Sequence, residues 1–156
     1  MLARFIIFLL LNFGGLALGS LSTKAGVSSQ WYVALQKAPW TPPGWVFGVA
    51  WSVIMLCFSY YMAKLLTLIQ TNTALRNTIL KLYGLQWILN VSWNYVFFKY
   101  YKVVPGLAIL CLLLIIIGYL CYSNAFTLKK INFYLAPYLL WLLVAISLNG
   151  YIYWYN

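Results

Sequence analysis

Five long apolar runs, separated by short polar or proline-containing joints, organise the chain. They cover Phe5–Leu21, Trp45–Ala63 with a continuation past Lys64 to Ile69, Leu82–Phe98, Val103–Leu128 and residues 131–155. The hydrocarbon core of a bilayer takes about 20 residues of helix, with roughly 17–25 tolerated. Each run meets that length. Backbone N–H and C=O groups cannot stay unpaired in lipid, so these runs predict helices. A β-barrel would show alternating segments of about ten residues, and the sequence has none. The predicted fold is all-α and integral to a membrane. A single domain over residues 1–156 forms a five-transmembrane-helix bundle with a long Trp/Pro-rich loop between helices one and two.

The first run has some marks of a signal peptide: Arg4, then apolar residues, then Ala17, Gly19 and Ser20. Its apolar stretch exceeds the roughly 7–15 residues of a signal core, so a membrane helix is expected. Gly15 and Gly19 form a small-xxx-small pair, which lets two helix backbones approach closely. The pattern leaves open whether that face packs within the bundle or between protomers.

The connection Ser22–Gly44 is long for a compact bundle, and long loops tend to be lids or linkers. Trp31, Tyr32 and Trp40 make it too aromatic for a linker, and Pro39, Pro42 and Pro43 stiffen its second half. Ser28 or Ser29 suits the N-cap of a short helix over Gln30–Gln36. Thr41-Pro42-Pro43 then enforces extended backbone up to Trp45. Two readings follow: an aromatic anchor at the membrane surface, or a lid over a pocket between helices.

Three predicted helices each carry a mixed face. Gln86, Asn90, Trp93, Asn94 and Phe97 fall within an arc of about 100° on the third. Trp141, Ala145, Leu148 and Asn149 share a face of the fifth, and Phe47, Trp51, Met55, Phe58 and Ser59 one of the second. Amides at membrane depth are costly unless they face the interior. Hydrogen bonds between helices would account for them; so would an apolar ligand pocket with a few polar handles. Ile116, in the middle of the all-aliphatic fourth run, is expected to face lipid.

Composition narrows the chemistry. Hydrophobic residues make up 65% of the chain and charged residues 6%, with ten Lys+Arg and no Asp, Glu or His. Acid–base catalysis by carboxylate or imidazole is thereby excluded, as is His ligation of haem iron. Cys57, Cys111 and Cys121 lie inside the runs without metal or disulfide spacing, so small packing roles are expected and no metal site. The basic residues stand singly or in pairs between apolar runs, which fits membrane topology and not nucleic acid. Arg4, Lys64, Arg76, Lys81, Lys129 and Lys130 would share one side, and Lys24, Lys37, Lys99 and Lys102 the other. The positive-inside bias then predicts a cytoplasmic N-terminus.

The stretch Trp31-Tyr32-x-x-Leu35-x-Lys37-x-Pro39-Trp40-x-Pro42-Pro43-x-Trp45, with Trp51 six residues on, resembles the translocator protein family. That family is also called the tryptophan-rich sensory proteins, TspO, or peripheral benzodiazepine receptors. Gln86-x-x-x-Asn90-x-x-Trp93-x-x-x-Phe97-Phe98 is similar to its third helix, and Pro137-Tyr138-x-x-Trp141 with Leu148-Asn149 to its fifth. Gly14-Gly15 matches a glycine pair in its first. The resemblance implies a bundle, often dimeric, that binds porphyrins and other large apolar ligands, with a sensory or regulatory role. Protoporphyrin IX is the implied ligand, and no cofactor is required. Carried over by position, the pocket would be lined by Tyr32, Pro42, Phe47, Trp51 and Asn90, and further by Trp93, Asn94, Phe97, Trp141 and Ala145. Lys37, near the loop, would suit a propionate.

Some bacterial members of the family break down protoporphyrin in light, which would make Trp51 and Trp141 catalytic. Transport of lipid or tetrapyrrole is a further reading. The sequence departs from the family at three places. Lys37-Ala38-Pro39-Trp40 shifts a loop kink by one residue. Asn94 stands where animal members carry Pro, predicting a straighter third helix. No Lys or Arg follows Tyr151, so the animal sterol-recognition pattern is not reproduced there.

Overall fold

The computed structural model describes residues 1–123 and 130–156. In chain order it contains α1 (Leu2–Val27), α2 (Gln30–Ala34), α3 (Gly44–Leu68), α4 (Thr73–Asn94), α5 (Val103–Ser123) and α6 (Ala136–Tyr155). A π-helical turn, Tyr95–Lys99, prolongs α4, and a 3-10 turn, Asn132–Leu135, leads into α6. The predicted end of the fourth run, residues 124–128, and Lys129 lie outside the described residues. The five long helices close a ring. α1 packs on α3 and α4, α4 on α5, α5 on α6, and α6 returns to α3.

Among the described residues, four helices are long and apolar enough to cross a membrane: Leu2–Val27, Gly44–Leu68, Val103–Ser123 and the continuous Asn132–Tyr155. α4 is not among them. Its first turns carry Arg76, Asn77 and Lys81, and it begins nine residues before the predicted Leu82. Around the outside, Leu10, Leu56, Ile88, Ile115 and Leu140 stand exposed, as a lipid-facing surface requires.

α1 runs past the predicted Leu21 through Val27, so the loop begins at Ser28, not Ser22. The cause is a buried stripe of Phe8, Asn12, Gly15, Gly19, Ser22 and Gly26. These residues recur at alternating spacings of four and three, the seam of a close-packed helix pair, and the seam holds the helix in register to its last turn. A Cβ on Gly15 would lie 2.7 Å from Trp87 Nε1, and one on Gly19 2.6 Å from Asn94 Nδ2. The small-residue face is therefore filled within the bundle by α4.

Polar groups tie the ring together. Asn12 Nδ2 donates to Ser59 Oγ at 2.8 Å, and Tyr83 OH donates to Asn12 Oδ1 at 2.9 Å, linking α1, α3 and α4. Arg4 Nη1 donates to the Leu66 carbonyl at 2.9 Å and to Thr67 Oγ1 at 3.1 Å. It satisfies a terminal carbonyl of α3, where a helix lacks internal donors. Asn12→Leu should strand the buried Tyr83 hydroxyl and cost roughly 1–2 kcal/mol. A lowered thermal midpoint in detergent, with helix content unchanged at low temperature, is the expected result.

Two expectations about the aliphatic helix are corrected. Ile116 is buried, at 8% exposure, while Ile115 is 66% exposed. Leu113, Ile116, Ile117 and Leu120 form the inward side of α5. A run apolar on every face has no periodicity to reveal which side meets lipid. Cys111, on the same helix, is exposed, and all three cysteines are free.

Candidate ligand site

Tyr138 sits at the centre of the ring. Its hydroxyl accepts from Asn90 Nδ2 at 2.6 Å and donates to Gln86 Oε1 at 2.9 Å. Its ring meets Trp51 edge-on at 5.9 Å and Phe58 at 5.5 Å. Asn94 is engaged as well: Nδ2 donates to the Asn90 carbonyl at 3.0 Å, and Oδ1 accepts from Thr23 Oγ1 at 2.8 Å. Three of the four amides flagged by the sequence thus bond within or between helices.

Asn149 does not. Both of its side-chain polar atoms are buried without a hydrogen-bond partner, and so is Trp93 Nε1. Buried polar atoms are almost always satisfied, so each exception asks for a reason. Trp93 stacks on Phe97 at 5.4 Å and 8° between planes. A Cβ on Gly106 would fall 3.3 Å from Asn149 Nδ2 and 3.4 Å from Phe97, so α5 approaches both closely.

The π-helical turn sets this arrangement. Tyr100 N donates to the Tyr95 carbonyl and Lys102 N to the Val96 carbonyl, each at 3.0 Å. The wider winding leaves Phe97 and Phe98 together inside, both buried. The turn starts directly after Asn94, so the regular α-helical winding of α4 stops at that residue. Such turns mark functional sites in many helices.

The loop closes over these rings. Ser29 Oγ caps α2 by accepting from Tyr32 N at 3.2 Å, as predicted, although the helix ends at Ala34. Trp31 packs on Phe97 at 5.5 Å and on Tyr101 at 4.7 Å, and Tyr32 on Phe98 at 5.6 Å. Burial raises the Tyr32 phenol above its ordinary pKa, keeping it neutral. Lys37 Nζ lies 4.5 Å from the Tyr32 ring centroid, a cation–π contact. Gln36 N donates to Asn156 Oδ1 at 2.9 Å, and Asn156 Nδ2 to the Gln36 carbonyl at 3.2 Å. Trp40 Nε1 donates to Ser147 Oγ at 3.2 Å. The two readings of the loop divide by residue: Trp31 and Tyr32 turn inward, while Trp40 and Trp45 are exposed.

The remaining predicted residues form a second group. Phe47 meets Trp141 edge-on at 5.2 Å. Trp141 lines a groove of about 260 Å³ between α3 and α6 with Ala50, Val53, Ile54, Pro137 and Leu140. Trp51 and Trp141 make no ring contact with each other among the described residues. Pro42 is half-buried in the extended link to α3, and Ala145 is buried on α6. Asn90 and Gln86 also border a cavity of about 10 Å³ with Asn12, Gly15 and Met55, the size of a single water. Tyr138, three residues before Trp141 on the same face, organises the centre but was not among the predicted lining residues. Asn12, an amide in an apolar run, carried the same depth signal as Asn90.

A closed ring of apolar helices around indoles, phenyl rings and amides, capped by an aromatic loop, defines an integral membrane protein. The chain belongs to the TspO/MBR family, whose sequence pattern matches residues 6–155. It is 31% identical over 121 residues to the protein CrtK of Rhodobacter capsulatus, covering 76% of this chain and 74% of that one. It is similarly related to the tryptophan-rich protein TspO of Chlorobaculum tepidum, at 32% over 123 residues and 78% and 77% coverage. The translocator protein of Homo sapiens is 30% identical over 133 residues, covering 80% and 73%.

Proposed function

We propose that the protein binds protoporphyrin IX or a comparable flat, apolar ligand between its helices, beneath the Trp31–Trp40 loop, in a sensory or regulatory role. The observation that carries this reading is that Trp93 Nε1 and the Asn149 amide are buried without hydrogen-bond partners. They supply two donor groups, the indole N–H and the amide NH2, and one acceptor oxygen, the few fixed polar handles that small-molecule sites use. Trp51, Trp93, Phe97 and Trp141 offer flat faces for offset stacking. The relatives named for tryptophan-rich, sensory and translocator proteins agree with a ligand-responsive membrane role. Titrating detergent-purified protein with protoporphyrin IX should quench tryptophan fluorescence saturably. A linear, non-saturable quench would refute the reading.

In this reading α4 also crosses the bilayer, its amides facing inward, giving five crossings, a cytoplasmic N-terminus and a homodimer in the membrane. Gln36 and Thr71 are exposed and fall on opposite sides of the membrane in this topology. In a variant lacking the native cysteines, Gln36→Cys should react with a membrane-impermeant thiol reagent from outside intact cells, and Thr71→Cys only after lysis. Labelling of both from one side would remove the five-crossing arrangement.

The loop acts as a lid that is ordered before the ligand arrives. Pro42 and Pro43 limit its freedom in the unbound state, so little entropy is lost on binding. Replacing both with Gly should weaken protoporphyrin binding roughly threefold to tenfold with the bundle still folded. Unchanged affinity would leave the loop as a surface anchor.

A further inference from the structure

A groove of about 400 Å³ lies on the outside of the bundle, between the last turns of α1 and the π-helical turn. Ser22, Ala25 and Gly26 form one wall, and Phe98, Lys99 and Tyr101 the other. It is separate from the interior site, since Phe98 turns its ring towards Tyr32 and Trp93.

Three features mark the groove. Ser22 is 7% exposed, and its hydroxyl makes no hydrogen bond among the described residues. The other hydroxyls of the same stretch do: Ser20 donates to the Ala17 carbonyl, Thr23 to Gly19 and Ser28 to Lys24. A Ser inside a helix normally satisfies itself this way, so Ser22 Oγ is left free at the groove wall. Lys99 Nζ lies 5.8 Å from the ring centroids of Tyr95 and Tyr100. With no Asp or Glu anywhere in the sequence, no side-chain carboxylate can neutralise it. Tyr101 has φ of 56°, a left-handed conformation unfavourable for a residue with a side chain. Its ring is held by Trp31, which keeps the groove's rim in place.

The depth of the groove is also informative. Lys24, Lys99 and Lys102 flank the same end of the helices, where cations meet lipid headgroups. Leu18 and Leu21, exposed on α1, continue the groove towards the hydrocarbon. Positive charge and a free hydroxyl at the headgroup level, above an apolar track, describe one chemistry: a phosphate diester carrying net negative charge, joined to acyl chains.

We propose that this groove binds an anionic phospholipid, its phosphate held by Lys99 Nζ and Ser22 Oγ and an acyl chain lying along Leu18 and Leu21. Delipidated full-length protein in neutral detergent should be titrated with short-chain phosphatidylglycerol, phosphatidylcholine and inorganic phosphate, with bound lipid read by native mass spectrometry. Phosphatidylglycerol should bind about tenfold more tightly than phosphatidylcholine, and inorganic phosphate should not compete at equal concentration. Lys99→Gln should weaken phosphatidylglycerol binding roughly fivefold to tenfold, and Ser22→Ala about threefold. Lys99→Arg should retain it. Lys81→Gln, at the opposite end of α4, should leave it unchanged.

Equal retention of the two lipids would overturn the proposal. So would a Lys81→Gln loss equal to that of Lys99→Gln, because charge anywhere on the protein would then suffice. Competition by inorganic phosphate as strong as by the lipid would assign the site to a free anion instead.

Discussion

Trp51→Leu or Trp141→Leu is expected to cut protoporphyrin affinity by roughly 1–3 kcal/mol, the scale of aromatic stacking on flat heterocycles. Leu keeps each position apolar, so the bundle should stay folded and the loss should report on stacking, not collapse. The geometry separates the two residues. Trp51 meets Tyr138 at the centre of the ring, and Trp141 meets Phe47 beside the groove between α3 and α6. A ligand reaching both must bridge these positions, which suits a macrocycle better than a small aromatic. The proper lipid-facing control is Ile115→Ala, since Ile116 packs inside. Calorimetric or fluorescence titration of the three variants decides the matter. Equal affinity in all of them would make these indoles packing residues.

Gly26→Val should destabilise the protein by about 3 kcal/mol, at the upper end of the usual cost of overpacking. A Cβ at this position would collide with Phe98 Cβ and come within 2.8 Å of both Phe98 Cδ1 and the Phe98 carbonyl oxygen. The carbonyl cannot swing away as a side-chain tip can, so α1 must separate from the π-helical turn. Trp31 and Tyr32 pack on Phe97 and Phe98, and the loop should loosen with the turn. Thermal unfolding in detergent would show a lowered midpoint and faster proteolysis between α1 and α3. A midpoint like that of the wild type would mean that the seam tolerates a side chain. Gly14→Val, where a Cβ meets nothing within 4 Å, should be nearly neutral.

Much of this structure is legible in apolar length alone. The second run, up to Ile69, falls within one residue of α3 at both ends. Pro43 sets its start by fixing the backbone before Gly44. The Ser29 cap and α2 were readable from a hydroxyl placed before a helix-compatible stretch. Other features depend on tertiary contacts. Nothing local keeps Ser22–Val27 helical; the stripe that includes Gly19 and Gly26 does so by docking on Asn94 and Phe98. The π-helical turn is likewise invisible to a 3.6-residue period, because it is a one-residue departure from it.

The candidate site divides in the same way. The amide faces were evident from cost at membrane depth, but residue type could not say which amides were already bonded. Asn90 and Asn94 found partners in Tyr138 and Thr23, whereas Asn149 did not. That distinction rests on distances across the ring. Conversely, Tyr138 read as one tyrosine among 14, and only its position between Asn90, Gln86 and Trp51 makes it the hub.

The central claim is that the buried, unpartnered Trp93 Nε1 and Asn149 amide belong to the ligand site. Indole-selective 15N labelling tests it most directly, because each tryptophan gives one N–H resonance and Trp93→Phe assigns the signal in question. On saturation with protoporphyrin IX, the Trp93 resonance should shift strongly. That of Trp87, whose Nε1 already donates to the Leu11 carbonyl at 2.9 Å, should stay. An unmoved Trp93 signal, with changes confined to the exposed Trp40 and Trp45, would place the porphyrin on the surface and contradict the account.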